Sequence, residues 1–199
     1  HIQEKESEWQ LRNRHRRGKG ERGIAPPLYT VAQALAALKA LQPVAYRETI
    51  SPADAVKVRF HDAGHILGSS WLEVTVNDDG RPRKLVFSGD LGMPERAVLH
   101  DPEKVVPEAD LLLLESTYGD RLHRSLTETE DEIVAAFERT RAAHGNLIIP
   151  AFAVGRTQEI IYMLADLARR KRISPIKVYV DSPMANAATQ ITLAHPELL

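Results

Sequence analysis

FHDAGHILGSS, residues 60–70, places His65 between Gly64 and Gly68 directly after a run of alternating apolar and polar residues. A second segment, FSGDLG at residues 87–92, places Asp90 beside glycines in the same way. A neutral imidazole and a carboxylate are ligands that bind zinc and similar divalent ions, and the two oxygens of a carboxylate can bridge two ions. The two segments therefore predict part of a dinuclear hydrolase site, with His65 and Asp90 as ligands.

The residues on both sides of the first segment predict a sheet. Apolar residues recur at every second position, namely at Val56, Val58 and Phe60 and again at Leu72, Val74 and Val76. Such alternation is typical of strands with one buried face, and Asp79-Gly80 is a turn signal before a further strand at residues 85–87. We expect consecutive antiparallel strands, with the loop at residues 62–70 at a strand end.

A different apolar pattern occupies residues 110–115. Leu111 to Leu114 are consecutive leucines, and a continuous apolar run predicts a strand that is buried on both faces. Glu115 follows this strand directly, so its carboxylate is expected at the strand end.

The second half of the chain alternates helix and strand patterns. The predicted elements are a helix capped by Thr127 and Glu130, a strand at residues 147–152, a helix from Gly155 to about Arg170, a strand at residues 176–181 and a helix capped by Ser182. This order is typical of a parallel α/β unit. The predicted fold class is α/β, with domains at residues 1–118 and 119–199.

Composition limits the function classes. The chain has 199 residues, a net charge of −1 and no cysteine. The charge argues against binding nucleic acid by bulk positive charge, and a metal site without cysteine must use His, Asp and Glu. No apolar run reaches the roughly 18 residues of a membrane span, and the polar first residues do not form a secretory signal. A reducing cytoplasm is the expected location.

Five motifs in order carry a family resemblance. They lie at residues 63–69, 87–90, 115–119, 149–158 and 180–185. Together they resemble the metallo-β-lactamase-fold RNA nucleases of the β-CASP group, in particular the bacterial and archaeal RNA-processing nucleases similar to the nuclease subunit of the cleavage and polyadenylation factor. The resemblance implies that residues 1–118 are part of an αβ/βα sandwich. Residues 119–199 would then begin an inserted β-CASP domain with a parallel sheet.

The resemblance also implies roles for single residues. Two zinc ions would be held by several histidines and an aspartate, with His65 as a ligand and Asp90 as the bridge. Glu115 would be a catalytic residue that orients a histidine near the leaving group, although a carboxylate capping the following turn is the simpler interpretation.

Three further residues are candidates for binding the backbone of single-stranded RNA. Gly155 and Arg156 start a helix, where free N–H groups and a guanidinium suit a phosphate. Ser182 is a weaker candidate of the same kind. An ordinary helix entry is the alternative for Gly155 and Arg156, and for Ser182 plain helix capping is an equally good explanation.

The chain departs from the family pattern in one respect. The His-x-His-x-Asp-His cluster and two later histidines of the family are absent from the sequence. We therefore expect the cluster to lie upstream of His1. The chain would then be an internal fragment that is inactive by itself, and the parent protein would be the ribonuclease. A metal-free scaffold paralogue, a DNA nuclease and a small-molecule hydrolase of the same fold stay open, as does a homodimer.

Overall fold

The structure is a computed structural model that describes residues 2–16, 26–104 and 108–198. Its elements are α1 (Ile2–Arg16), α2 (Val31–Leu38), β1 (Thr49–Ala53), β2 (Val56–Asp62), β3 (Ser70–Asp78), β4 (Arg81–Phe87), β5 (Leu111–Leu113), α3 (Leu126–Ala142), α4 (Arg156–Arg169), α5 (Pro183–Ala194) and a short 3₁₀ helix (Pro196–Leu198). The mixture of helices with one sheet confirms the predicted α/β class. No helix of the described residues is long and apolar enough to cross a bilayer.

The chain forms two compact units, His1–Val44 and Ala45–Leu199. In the first unit, Thr30 caps α2 by accepting a hydrogen bond from the Gln33 N–H at 3.2 Å, while the Gln33 side chain accepts one from the Thr30 N–H at 2.8 Å. This reciprocal pair satisfies two N–H groups that a helix start otherwise leaves free. The boundary predicted between residues 118 and 119 stays a prediction.

The second unit contains a five-stranded sheet in the order β1-β2-β3-β4-β5. The pairs β1–β2, β2–β3 and β3–β4 are antiparallel, whereas β5 pairs with β4 in parallel. Asp79 and Gly80, at φ +45° and +82°, join β3 to β4, and two left-handed residues in succession match the twist of a tight hairpin. The predicted run of antiparallel strands is confirmed. Ala63, Trp71 and Val86 form the buried core beneath this sheet, with Leu91 packed against them.

The prediction that residues 110–115 form a strand buried on both faces is wrong. β5 is only three residues long, and Leu111 is 51% exposed and Leu114 60% exposed. The strand lies at the edge of the sheet and pairs with β4 alone, so a continuous apolar run here does not mean a central position.

The helices of the second half occur as predicted, with one shift. The capping box of α3 uses Ser125 and Glu128, which exchange hydrogen bonds of 3.2 Å and 2.9 Å, and not Thr127 and Glu130. Both pairs fit the same four-residue pattern, and the chain uses the earlier one. Leu164 and Leu167 of α4 form a second buried core with Ile173, and apolar side chains of α3 pack against it.

The strands predicted at residues 147–152 and 176–181 are wrong in this structure. Neither segment is assigned as a strand, and Ile148 and Tyr179 are 86% and 84% exposed. A strand needs a neighbour for its N–H and C=O groups, and no described residues pair with either segment. The parallel sheet predicted for residues 119–199 is therefore not formed by the part of the chain that the structure describes.

Candidate active site

The loop between β2 and β3, which carries His65, is closed by its own polar side chains. Asp62 Oδ1 accepts a hydrogen bond from the Gly64 N–H at 2.8 Å. Ser69 Oγ accepts two more, from the N–H groups of His65 at 3.0 Å and Ile66 at 3.2 Å. Because Asp and Ser side chains readily satisfy nearby backbone donors in turns, the sequence itself specifies this loop conformation.

A tyrosine outside the loop adds a further hydrogen bond to it. The Tyr46 hydroxyl donates a hydrogen bond of 3.0 Å to the Ser69 carbonyl. Burial, together with the nearby Asp62 carboxylate, raises the pKa of Tyr46 to about 12. The phenol therefore keeps its proton at any ordinary pH and continues to donate to the loop.

The turn that carries Asp90 packs backbone to backbone against the His65 loop. The Gly92 N–H donates a hydrogen bond of 2.7 Å to the Ala63 carbonyl. A Cβ added at Gly92 would collide with the carbonyl of Gly64, so only glycine permits this approach. Gly64 itself has φ +59°, and a Cβ there would lie 2.8 Å from the His100 carbonyl oxygen. The glycines that flank His65 and Asp90 thus hold the two turns together.

The two predicted ligands lie side by side at this junction. His65 Nε2 is 4.0 Å from Asp90 Oδ2, and the side chains are 38% and 78% exposed. His65 Nδ1 is buried without a hydrogen-bond partner, which leaves the ring orientation to be set by packing. Two ligands of one tetrahedral zinc ion lie ~3.3 Å apart at metal distances of ~2.0–2.1 Å, so the pair is near the separation that a shared ion requires.

The donor atoms of this pair fit zinc, but their number does not complete a site. Zinc is usually held by four ligands in a structural site and by three protein ligands in a catalytic site. Within residues 2–16, 26–104 and 108–198, no three His, Asp or Glu side chains are grouped so that they would hold one ion. The described residues therefore bring two candidate ligands together.

Glu115 is attached to the Asp90 turn. Its Oε1 accepts a hydrogen bond of 2.6 Å from the Leu91 N–H, and its own N–H donates to Ser88 Oγ at 2.9 Å. The Leu91 N–H holds the pKa of Glu115 below its usual value against the opposing effect of desolvation, with smaller contributions from Thr117 and His65. The carboxylate is thus ionised at neutral pH and lies beside the candidate ligands.

The start of α4 also meets the His65 loop. Gly155 has φ +81°, and a Cβ there would lie 2.9 Å from Cγ2 of Ile66. The neighbouring Arg156 is half-exposed and forms an ion pair of 2.8 Å with Glu159, whose other oxygen is 2.7 Å from Arg96. The structure therefore brings Gly155 to the loop that carries His65, but it also gives Arg156 an intramolecular partner.

Ser182 has a structural role in the described chain. Its hydroxyl oxygen accepts a hydrogen bond of 3.2 Å from the Ala185 N–H, and Pro183 occupies the first position of α5. This is the capping arrangement that the Ser-Pro pair predicts.

His61 is a residue whose setting the sequence did not indicate. It is 4% exposed, and its ring stacks on Trp71 with centroids 3.8 Å apart. Its Nδ1 lies 3.2 Å from Glu103 and its Nε2 lies 3.4 Å from Glu73. These are ion-pair distances, but neither ring nitrogen is oriented toward its carboxylate as a hydrogen bond requires. Cross-strand pairing places His61 opposite Trp71, but Glu103 reaches the ring only through the tertiary fold.

Both carboxylates at His61 have lowered pKa values. For Glu73 the main cause is the bond from Lys84. For Glu103, desolvation by burial raises the pKa, but the close contacts of His61 and Arg47 outweigh it. Both side chains are therefore carboxylates at neutral pH.

Comparison with known proteins places the chain in a family. Ribonuclease TTHA0252 of Thermus thermophilus is 44% identical over 149 residues, which are 75% of this chain and 33% of that protein. Transcription termination factor FttA of Methanosarcina mazei is 35% identical over 81% of this chain and 25% of its own length. The RNase J-like protein of Methanocaldococcus jannaschii is 30% identical over 76% of this chain and 35% of its own length.

The chain thus spans between a quarter and about a third of the length of these relatives. The model of the Beta-Casp domain matches residues 157–199, which include most of α4 and all of α5. The relatives align over most of this chain, and the motifs at residues 63–69 and 87–90 contain the paired turns of His65 and Asp90. The chain belongs to the β-CASP group, and the relatives that it matches include proteins named ribonuclease and RNase J-like protein.

Proposed function

We propose that the whole protein is a zinc-dependent ribonuclease that hydrolyses phosphodiester bonds of RNA, and that this chain contributes His65, Asp90 and Glu115 to its active site. The observation that carries the proposal is the 4.0 Å approach of His65 Nε2 to Asp90 Oδ2. Relatives named ribonuclease and RNase J-like protein support the reaction class. The remaining zinc ligands would come from residues outside this pair.

The chemistry of phosphodiester cleavage explains why such residues are needed. Two zinc ions supply a nucleophile at neutral pH and neutralise the charge that develops on the phosphoryl oxygens. In this chain, His65 would bind through Nε2, the ring atom that faces Asp90. Asp90 is the proposed bridge because its carboxylate is largely exposed and offers two oxygens.

Glu115 is proposed to fix an imidazole near the leaving group. An ionised carboxylate beside an imidazole selects its tautomer and favours its protonated form. The lowered pKa of Glu115 supports this role, because an ionised carboxylate accepts a stronger, charge-assisted hydrogen bond from an imidazole N–H. Its bond to the Leu91 N–H places it on the Asp90 turn.

The start of α4 is proposed to contact the backbone of single-stranded RNA. The positive end of a helix dipole favours a phosphate, and the phosphate would act through this dipole because the N–H groups of Arg156 and Thr157 already donate to the carbonyls of Val154 and Phe152. Gly155 is the better supported residue since it adjoins the His65 loop. Arg156 keeps donors free beyond the one that meets Glu159, while Ser182 has its hydroxyl oxygen engaged at α5.

We also propose the finer fold that the family implies. Residues 1–118 would be part of an αβ/βα sandwich, supported by the antiparallel strands β1 to β4. Residues 119–199 would begin the β-CASP domain, supported by the match over residues 157–199. A cytoplasmic location is part of the proposal, supported by the RNA-processing relatives and by the absence of cysteine from these 199 residues.

The proposal is tested in the full-length protein with Asp90→Ala and with Asp54→Ala as the matched control. Asp54 is an exposed carboxylate in the turn between β1 and β2, so its loss leaves the site untouched. We expect Asp90→Ala to lose zinc, measured by elemental analysis, and to lose cleavage of end-labelled RNA, while Asp54→Ala keeps both. A wild-type protein without zinc, or an Asp90→Ala protein with full cleavage, would end the proposal. Labelled RNA and DNA of one sequence, compared side by side, separate a ribonuclease from a DNA nuclease.

A further inference from the structure

The segment at residues 100–103 forms one wall of the His65 loop. A Cβ at Gly64 would lie 2.8 Å from both the His100 carbonyl oxygen and the Pro102 nitrogen. The backbone next to His65 is therefore in close contact with this segment. Any displacement of residues 100–103 would release the loop on that side.

Glu103 attaches the segment to its surroundings through four contacts. Its N–H donates to the Asp62 carbonyl at 2.9 Å, and its carbonyl accepts from Trp71 Nε1 at 3.2 Å. Its carboxylate lies 3.2 Å from His61 Nδ1 and 3.3 Å from Arg47 Nε. Three of these partners belong to β2 and β3, the two strands that the His65 loop connects.

His61 lies between two carboxylates, each of which also has a cation as a partner. On one side of its ring stands Glu103 with Arg47, and on the other Glu73 with Lys84, whose Nζ is 2.8 Å from Glu73. The ring is almost fully buried and its stacking on Trp71 fixes its plane. The imidazole therefore has one ring nitrogen close to each carboxylate.

We propose that His61 is a positioning residue for the zinc-binding loop, because it holds Glu103, and with it residues 100–103, against Gly64 beside His65. The inference rests on the proposed function of His65. His61 touches neither substrate nor metal in this role. Its effect reaches the site through the backbone contact at Gly64.

The test uses His61→Phe in the full-length protein. Phenylalanine keeps a flat ring to stack on Trp71 but removes both nitrogens that face Glu73 and Glu103. We expect zinc affinity, measured by competition with a chelator, to fall on the order of tenfold, as is usual when residues that support metal ligands are changed. In the zinc-free protein we expect hydrogen exchange at the amides of Gly64, His65 and Ile66 to accelerate severalfold, since these amides form the loop's own hydrogen bonds.

Leu167→Ala is the control for general destabilisation. Leu167 is fully buried in the second core, which contains none of these charged residues and no residue of the His65 loop. We expect it to lower the melting temperature without changing zinc affinity or exchange at the three loop amides. An equal loss of zinc affinity in both variants, or none in His61→Phe, would overturn the inference.

Glu103→Gln provides a second route if His61→Phe does not fold. The amide keeps the size of the side chain and removes its charge, so we expect the same loss of zinc affinity and the same faster exchange, and unchanged values would refute the role of the pair. If the wild-type protein binds no zinc, the proposed function fails. The exchange rates of the zinc-free protein then still decide the role of His61.

Discussion

Replacing Gly155 with alanine combines a backbone strain with a collision. Gly155 has φ +81° and ψ −75°, a conformation that is rare and strained for residues with a side chain. Holding such a conformation costs about 1–3 kcal/mol. In the unfolding transition of a domain of about 150–250 residues, 1 kcal/mol lowers the melting temperature by about 2–4 °C. We therefore expect Gly155→Ala to melt roughly 2–12 °C below the wild-type protein.

The collision should add a loss of activity beyond this loss of stability. The new Cβ would lie 2.9 Å from Cγ2 of Ile66, so relief requires movement of the loop that carries His65. Gly145→Ala is the control, since its Cβ would meet only Thr140 atoms at 3.8 Å and 3.9 Å. Thermal unfolding and RNA cleavage well below the melting point are measured for both in the full-length protein. The reasoning fails if Gly155→Ala melts and cleaves like Gly145→Ala.

Three further outcomes concern stability. Leu167→Ala should lower the free energy of unfolding by about 2–5 kcal/mol in urea denaturation, because Leu167 is fully buried; exposed Leu193, changed in the same way, should have little effect. Ser125→Ala should cost about 1 kcal/mol through loss of the α3 cap, and an unchanged urea midpoint would refute the shifted capping box. The bond from Lys84 lowers the pKa of Glu73 below 4.5, its value in the unfolded chain. The ionised Glu73 side chain therefore stabilises the fold above about pH 4.5, and this contribution is lost as the pH falls through the lower pKa of the folded state. Glu73→Gln should therefore flatten the acid limb of a stability–pH curve, and a limb as steep as in the wild-type protein would contradict this.

The elements that the sequence predicted depend on local interactions. The alternation from Val56 to Val76 specifies one buried face for β2 and β3, and Asp79-Gly80 fixes the turn that follows. Ser182-Pro183 identifies the start of α5 because the cap needs only residues within one helical turn. The paired turns of His65 and Asp90 belong to the same group, since their glycines permit contacts that other residues would block.

The wrong predictions concern segments whose structure depends on pairing with residues distant in sequence. Residues 147–152 have a strand composition, but a strand forms only beside another strand, and propensity alone does not provide one. The leucines of β5 suggested burial, whereas their position at the sheet edge leaves them half exposed. The ion pair of His61 with Glu103 joins residues far apart in sequence, and no local pattern indicates such a contact.

The contact of Gly92 with Gly64 has a consequence for how the site tolerates change. Since it is made by backbone atoms, the contact between the His65 and Asp90 turns does not use the side chains of Ile66 or Leu91. Substitutions at Ile66 or Leu91 can alter the surroundings of the site while the two candidate ligands keep their separation. The surroundings of His65 and Asp90 are therefore free to diverge around a contact that the main chain makes.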